Sequence, residues 1–179
     1  MSHGLLPCLQ YYVGWYKADD MKETILRAAR AGDGCALARV LRPEDRQELL
    51  ASHPREHVAQ LLEAFIAYSQ SSVCLLRGKE VVALAGIYAP VALGLQARVW
   101  LLTGRKIGLS KFSFFRLAKQ QLARWLARYP VLSNEVDVRY PAALHLLTHL
   151  NACFDGKVSV YSQINFLHFL FRRNIWEEL

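Results

Sequence analysis

The chain has 179 residues, of which 53% are hydrophobic and 21% are charged, a size and balance that suit one domain with a substantial core and exclude a disordered chain. The formal net charge of +7 favours anionic partners such as nucleic acid, cofactor phosphates or anionic lipid. No run of about 18 uncharged apolar residues occurs, and the first residues lack a secretory pattern, so we expect a cytoplasmic protein with no membrane partner.

Residues 1–20 differ in composition from the rest of the chain. They hold three tyrosines and one tryptophan and show no clear hydrophobic period, whereas a regular pattern begins near Met21. We therefore expect an aromatic-rich N-terminal extension over residues 1–20 and one domain over residues 21–179.

The first part of that domain predicts one strand and three helices. Residues from Glu23 to Arg30 alternate as a strand does. Asp33 is a plausible N-cap for a short helix. Pro43 and Pro54 each predict the first turn of a further helix, where the missing N–H of proline costs nothing.

The middle of the chain changes to period two and to dense apolar runs. SVCLLR, VVALAGIYAPVAL and QARVWLLT predict three strands. The second of these should be bent or bulged at Gly86 and interrupted at Pro90.

The last part alternates helices and strands. The elements predicted there are a helix from Lys111 to about Arg128, the strand LSNEVDVR, a helix opened by Pro141, a turn at Asp155-Gly156, and the closing strands KVSVYSQ and FLHFLFRR. The whole order is β–α–α–α–β–β–β–α–β–α–β–β. It predicts an α+β domain with a mixed, mostly antiparallel sheet flanked by helices.

This order resembles that of the GNAT acetyltransferase superfamily. Within it, the chain is most similar to the GNAT-like proteins of tailed phages, of the internal virion protein A type. The segments that carry the likeness are RAARAGD (27–33), LRPEDRQEL (41–49), GKEVVALAGI (78–87), VWLLTG (99–104) and the stretch 122–150. The resemblance implies an acyl-CoA N-acyltransferase fold.

It also implies a site for acetyl-CoA after the fourth strand. In GNAT enzymes a loop with the pattern Q/R-x-x-G-x-G/A leads into a helix, and its backbone N–H groups bind the pyrophosphate. Here Arg105-x-x-Gly108-x-Ser110 nearly fits, with serine in the last small position and three phenylalanines soon after. The implied cofactor-binding residues are Leu102, Thr103, Arg105, Lys106, Gly108, Ser110 and Lys111.

The residues implied for catalysis depart from the family pattern. Tyr140 stands where the family has an asparagine, and Leu147 stands where it has the tyrosine that protonates the leaving thiolate. Asn151-Ala152 replaces a Gly-Phe pair. The catalytic residue is therefore unknown, with Tyr140 as one candidate for the acid.

Other candidates come from the residues themselves. Glu135 and Asp137 share one face of a predicted strand and could act as a base, or could be paired with Arg139. His145 and His149 have i, i+4 spacing and could supply a general base or lie on the surface. The four cysteines form no C-x-x-C pair and no HEXXH is present, so we expect no metal.

Three readings of function stay open. One is an acetyl-CoA-dependent N-acetyltransferase with degenerate motifs. The second is a non-catalytic phage or prophage-derived virion or host-interaction protein on a GNAT scaffold, with a protein or nucleic acid as its partner. The third is a basic nucleic-acid-binding module, which rests on the net charge of +7. A splay between the fourth and fifth strands, which forms the pantetheine slot in GNAT proteins, favours the enzyme. A closed sheet, or Phe112 and Phe115 filling the slot, favours the scaffold.

Overall fold

The computed structural model describes residues 24–89 and 94–173, with the side chains of Leu109 and Ser110 excepted. The expected extension over residues 1–20 and the expected interruption at Pro90 lie outside this range, and the single domain over 21–179 stays a prediction. No helix in the described ranges is long and apolar enough to cross a membrane.

The described elements follow the predicted order. The strands are β1 Thr24–Ala28, β2 Ser71–Arg77, β3 Glu80–Tyr88, β4 Gln96–Thr103, β5 Val131–Asp137, β6 Cys153–Tyr161 and β7 Ile164–Arg172. The helices are α1 Asp33–Val40, α2 Pro43–Ser52, α3 Val58–Tyr68, α4 Lys111–Arg128 and α5 Pro141–His149, with a 3₁₀ helix at Arg105–Ser110 before α4.

These strands form one sheet in the order β1-β2-β3-β4-β5-β7-β6. Among the described strands only β4 and β5 run parallel, and every other neighbouring pair is antiparallel. The predicted α+β class with a mixed, mostly antiparallel sheet is therefore confirmed.

The helices cover both faces of the sheet. Helices α1 to α3 pack on one face, around a buried cluster that includes Leu37, Leu62 and Leu84. Helices α4 and α5 pack on the other face, around a second cluster that includes Leu126 and Leu132. Successive residues of a strand point to opposite faces, so each central strand contributes to both cores.

Two local predictions in the first half were wrong. Helix α3 begins at Val58 rather than at Pro54. Strand β3 keeps a regular register with β4 at Gly86, and the register shift lies instead between Leu75 and Leu76. Gly86 has a packing role, because a Cβ there would lie 2.6 Å from the Trp100 ring.

The turn expected at Asp155-Gly156 is also absent from the described fold. Both residues lie inside β6, where the pairing with β7 shifts between Phe154 and Val158. Gly156 has φ 77°, a left-handed conformation that glycine adopts at low cost. The turn-like pair thus marks a β-bulge.

Asp33 is the first residue of α1 rather than its N-cap, which is Gly32. Its carboxylate accepts two hydrogen bonds from the Arg27 guanidinium, at 2.6 and 2.8 Å. The orphan N–H groups of α1 are capped from α3, because the Glu63 carboxylate accepts hydrogen bonds from the backbone N–H of Gly32 at 3.1 Å and of Cys35 at 2.8 Å. Glu63 therefore fixes α1 against α3.

We expect Glu63→Ala to lower the free energy of unfolding by about 1–2 kcal/mol, as loss of a helix cap does. Urea unfolding followed by circular dichroism measures this. Glu56→Ala, at an exposed position between α2 and α3, is the control and should leave the midpoint near that of the wild type. Equal midpoints for Glu63→Ala and the wild type would show that the cap contributes nothing.

Candidate functional site

The central feature of the sheet is a split between its two parallel strands. β4 and β5 pair only where Gln96–Arg98 lies beside Val131–Ser133. Beyond this point the Asn134 side chain donates a hydrogen bond to the Val99 carbonyl, at 2.8 Å, in place of a ladder bond. The two strands diverge from there onward, as the slot expected of a GNAT fold requires.

A large cavity occupies the split. It has a volume of about 1590 Å³ and is lined by side chains from both faces of the sheet. Phe115 and Gln121 of α4 line it on one face, and Glu48 of α2 and Phe65 of α3 line it on the other. Both layers therefore contribute residues to one cavity beside the split.

The far end of the split is bridged by Asp45 of α2. Its buried carboxylate accepts hydrogen bonds from Thr103 Oγ1 at 2.8 Å, from the Thr103 N–H at 3.3 Å and from the Tyr140 hydroxyl at 3.1 Å. The guanidinium of Arg42 lies 5.2 Å from the centroid of the Tyr140 ring. Asp45 thus joins the end of β4 to the connection between β5 and α5.

Burial is the main influence on the pKa values of Asp45 and Tyr140. It raises the pKa of Asp45, against the opposing effect of the hydrogen bonds from Thr103 and Tyr140. Burial, followed by the nearby Asp45 charge, also raises the pKa of Tyr140. Tyr140 therefore stays a phenol at neutral pH and keeps its hydroxyl proton directed at Asp45.

Glu48 is a functional candidate that the sequence did not predict. It lies three residues after Asp45, on the same face of α2, and lines the cavity. Burial, followed by the charge of Asp45, raises the pKa of Glu48 from 4.5 to about 7, although the nearby backbone N–H of Asp137 opposes this rise. A carboxyl group with this pKa can accept a proton near neutral pH.

No sequence pattern marks Glu48 as facing inward, because α2 has no clear apolar face. The fold alone brings Asp45, Glu48, Leu49 and Ser52 of α2, with Arg42 before it, to the cavity lining.

The expected cofactor-binding segment begins at the same end of the split, because Thr103 is bonded to Asp45 and the 3₁₀ helix follows directly after it. Thr103 ends β4, the 3₁₀ helix follows, and Lys111 begins α4. Arg105, Gly108 and Lys111 all line the cavity. A Cβ at Gly108 would meet only the Lys111 Cε, at 3.8 Å, so the backbone there is open to a close approach.

The other expected members of that segment have different surroundings. Leu102 is buried in the core beneath α1 to α3, although it also lines the cavity. Lys106 forms an ion pair with Glu80, with 2.6 Å between Nζ and Oε2. The backbone of Ser110 ends the 3₁₀ helix, and its side chain lies outside the described part of the structure.

The phenylalanines after this loop leave the cavity in place. Phe112 is 51% exposed, and Phe115 packs against the core beneath α4 and α5 while lining the cavity. Leu147 of α5 also lines the cavity, at the position where the family has a tyrosine. Asn151 has φ 57° and so takes the left-handed conformation for which the family uses glycine.

The two acidic candidates on β5 have separate partners. Glu135 accepts hydrogen bonds from the hydroxyls of Ser159 and of Tyr161, the second at 2.7 Å. Asp137 is buried, which pushes its pKa up, but the hydrogen bonds and charge of Arg139 outweigh burial and lower the pKa. The two carboxylates therefore do not form a proton-sharing pair.

The two histidines of α5 lie at the cavity lining and are exposed. Their ring centroids are 4.1 Å apart, and Nδ1 of His149 donates to the His145 carbonyl at 2.8 Å. No group of three metal-ligating side chains occurs within residues 24–89 and 94–173.

Solved structures share this fold across most of the chain. A "putative acetyltransferase" matches with a TM-score of 0.66 at 17% identity, covering 88% of this chain and 87% of that chain. Mutant forms of the spermidine/spermine N-acetyltransferase SpeG from Vibrio cholerae match at 0.65 and 13%, covering 88% and 98%. The V. cholerae spermidine N-acetyltransferase in complex with CoA and spermine matches at 0.60 and 12%, covering 87% and 99%.

The expected fold is therefore confirmed, since these neighbours are GNAT acetyltransferases. At these identities the likeness concerns the fold. In sequence, no protein-family model and no curated protein matches the chain.

The Asp45 bridge predicts energetic coupling between Thr103 and Tyr140. We expect Thr103→Val and Tyr140→Phe each to lower the free energy of unfolding by about 1–2 kcal/mol, because each removes a hydrogen bond from a buried carboxylate. In the double variant the two effects should differ from additivity by at least about 0.5 kcal/mol, because they share one acceptor.

Urea unfolding of the single and double variants measures that coupling. The control cycle combines Thr103→Val with Tyr161→Phe, which lacks a shared partner because the Tyr161 hydroxyl bonds Glu135. That control should be additive. If the effects of Thr103→Val and Tyr140→Phe are as additive as those of the control pair, Asp45 does not couple Thr103 to Tyr140.

Proposed function

We propose that this chain is an acyl-CoA-dependent N-acetyltransferase that acts on a primary amine. The observation that carries the proposal is the split between β4 and β5, with a cavity beside it that is lined by residues from both faces of the sheet. Support for the ligand class comes from the structural neighbour in complex with CoA and spermine. A cavity lined from both faces can receive a donor and an acceptor together.

The residues after β4 fit the anionic end of CoA. Arg105 and Lys111 line the cavity beside the 3₁₀ helix and the start of α4, and their positive charges favour a bound phosphate. Gly108 leaves that backbone open to a phosphate. Lys106 contributes less in this proposal, because its ammonium already pairs with Glu80.

The thioester of acetyl-CoA supplies an activated acetyl group, and the protein's task is to position the amine and take up its proton. An amide C–N bond forms and the thioester C–S bond breaks. The proton lost by the amine passes to the Glu48 carboxylate, which has the pKa and the cavity position for this role.

The leaving thiolate needs little assistance from the protein. A thiol has an ordinary pKa of about 8.5, so water can return a proton near neutral pH. The Tyr140 hydroxyl donates to Asp45, so we assign Tyr140 to positioning the cleft. Because water can protonate the thiolate, the reaction does not require the family's tyrosine at the position of Leu147.

Binding of CoA tests the first half of the proposal. Isothermal titration of CoA into the full chain should give measurable heat, and Arg105→Ala should weaken the affinity about tenfold through the loss of one charge-assisted phosphate contact. Lys106→Ala is the matched control, with a smaller effect expected because of the Glu80 pair. No heat at millimolar CoA would overturn the proposal.

Replacement of Glu48 tests the second half. With acetyl-CoA and a primary amine, Glu48→Gln should lower kcat/KM at pH 8 by about 100-fold or more, while the Kd for CoA stays unchanged. The carboxylate is the active form. The ratio of wild-type to variant kcat/KM should therefore rise as the pH passes through about 7 and then level off. The acceptor's own ionisation cancels in this ratio.

Glu44→Gln provides the control, because Glu44 lies on the same helix at an exposed position and is not part of the cavity lining. It should retain a kcat/KM near that of the wild type at each pH. A ratio for Glu48→Gln that does not change with pH would remove Glu48 from the role of base.

The alternative is the non-catalytic phage-type scaffold with a protein or nucleic acid partner. It gains support if CoA fails to bind and the chain instead shows salt-dependent binding to DNA in gel shifts. The replacement of the family's tyrosine by Leu147 is the observation that favours this outcome. A cytoplasmic location stays a prediction under either reading.

A further inference from the structure

We propose that the acceptor is an arylalkylamine, that is, a single primary amine joined by a short linker to a flat aromatic body. The inference rests on the proposed acyl transfer and names the substrate class of the same site. It is carried by a wall of aromatic side chains that lines the same cavity as Glu48, on the side of α2 and α3.

The aromatic wall consists of His53, Phe65 and Trp100. The ring centroids of His53 and Phe65 are 5.8 Å apart, and those of Phe65 and Trp100 are 5.5 Å apart. All three rings line the cavity and are partly exposed. Partly exposed rings with edge and tilted contacts can each offer a face or an edge to a further ring.

The wall is held in place by its neighbours. The Trp100 indole donates from Nε1 to the Ser69 hydroxyl at 2.9 Å, and it lies against Gly86, where a Cβ would be only 2.6 Å from the ring. A ring that is already fixed loses little conformational entropy when a ligand packs on it. This part of the cavity is therefore prepared for a flat apolar group.

Two further aromatic rings line the cavity near its rim. Tyr68 is 74% exposed and Tyr88 is 43% exposed. Aromatic side chains that stay in contact with water next to a cavity commonly mark a binding surface. They extend the wall toward solvent on the side from which an acceptor would enter.

The charges of the cavity favour one ammonium group over several. Of the carboxylates that line it, Asp45 is already bonded by Thr103 and Tyr140, and Glu135 by Ser159 and Tyr161. Glu48 has no side-chain partner among the described hydrogen bonds and ion pairs.

Arg42 and Arg98 add positive charge to the same lining. A polyamine would place further ammonium groups in the same cavity as these guanidinium groups, and like charges repel.

The spacing along α2 fits a short linker. Glu48 and Ser52 lie one helical turn apart on the same face, about 6 Å along the axis, and His53 of the aromatic wall follows Ser52 directly. An amine held at Glu48 therefore has the wall within reach of a short alkyl chain.

Competition between two amines tests the proposal. With acetyl-CoA and the full chain, we expect kcat/KM for phenethylamine to exceed that for spermidine about tenfold or more. Phe65→Leu should raise the KM for phenethylamine about tenfold by removing one ring contact, and leave the KM for butylamine near the wild-type value. Phe154→Leu, at an exposed ring on β6 outside the cavity lining, is the matched control.

A direct titration separates this inference from the proposed function. Phenethylamine titrated into the protein without an acyl donor should bind, and Phe65→Leu should weaken that binding. Tyr68→Ser, at a highly exposed position that is safe for folding, should weaken it as well. Binding of phenethylamine that is weakened by these substitutions would support the aromatic site. A failure of CoA to bind would overturn the proposed acyl transfer and would leave that support for the aromatic site unchanged.

Two outcomes would overturn the inference. One is a higher kcat/KM for spermidine than for phenethylamine, which would leave the acyltransferase intact but with a polycationic acceptor. The other is an absence of phenethylamine binding in the direct titration.

Discussion

The architecture depends on a backbone ladder that stops partway along two parallel strands. Backbone N–H and C=O groups that lose their ladder partners inside a protein must find others. Here side chains provide two of them: Asn134 donates to the Val99 carbonyl, and Asp45 accepts from the Thr103 N–H. The sheet can therefore hold an open cavity at its centre without leaving those groups unsatisfied.

The position of α2 links this structural requirement to chemistry. The carboxylate that bridges the split, Asp45, and the carboxylate proposed as base, Glu48, are three residues apart and so occupy one helix face. Their proximity is part of the reason that the pKa of Glu48 reaches about 7, since each negative charge opposes the ionisation of the other. One helix face thus stabilises the cavity and sets the proton affinity inside it.

Hydrophobic period and turn chemistry were enough to predict most of the fold. The bounds of β4 and α4 agree with the structure because both have a strong period and clear ends. The split was not readable from either strand alone, because the contacts of Asp45 with Thr103 and Tyr140 that bridge its far end are tertiary. Glu48 was not predicted for the same reason, since only the fold brings its carboxylate beside Asp137. From the sequence, Gly86 predicted a β-bulge. In the structure, the absence of a side chain at Gly86 makes room for the Trp100 indole ring.

Strand β4 shows how one segment can serve two ligands. Its alternate residues point to opposite faces of the sheet, so Val99 packs in the core beneath α4 and α5 while Trp100 packs toward α3. At its end the chain enters the basic segment that contains Arg105. Arg105 and Lys111 lie beside the 3₁₀ helix, where phosphates are proposed to bind, and the aromatic rings and Glu48 lie on the side of α2 and α3, where the amine is proposed to bind. Because a single strand separates the two, a donor and an acceptor would meet in the split itself.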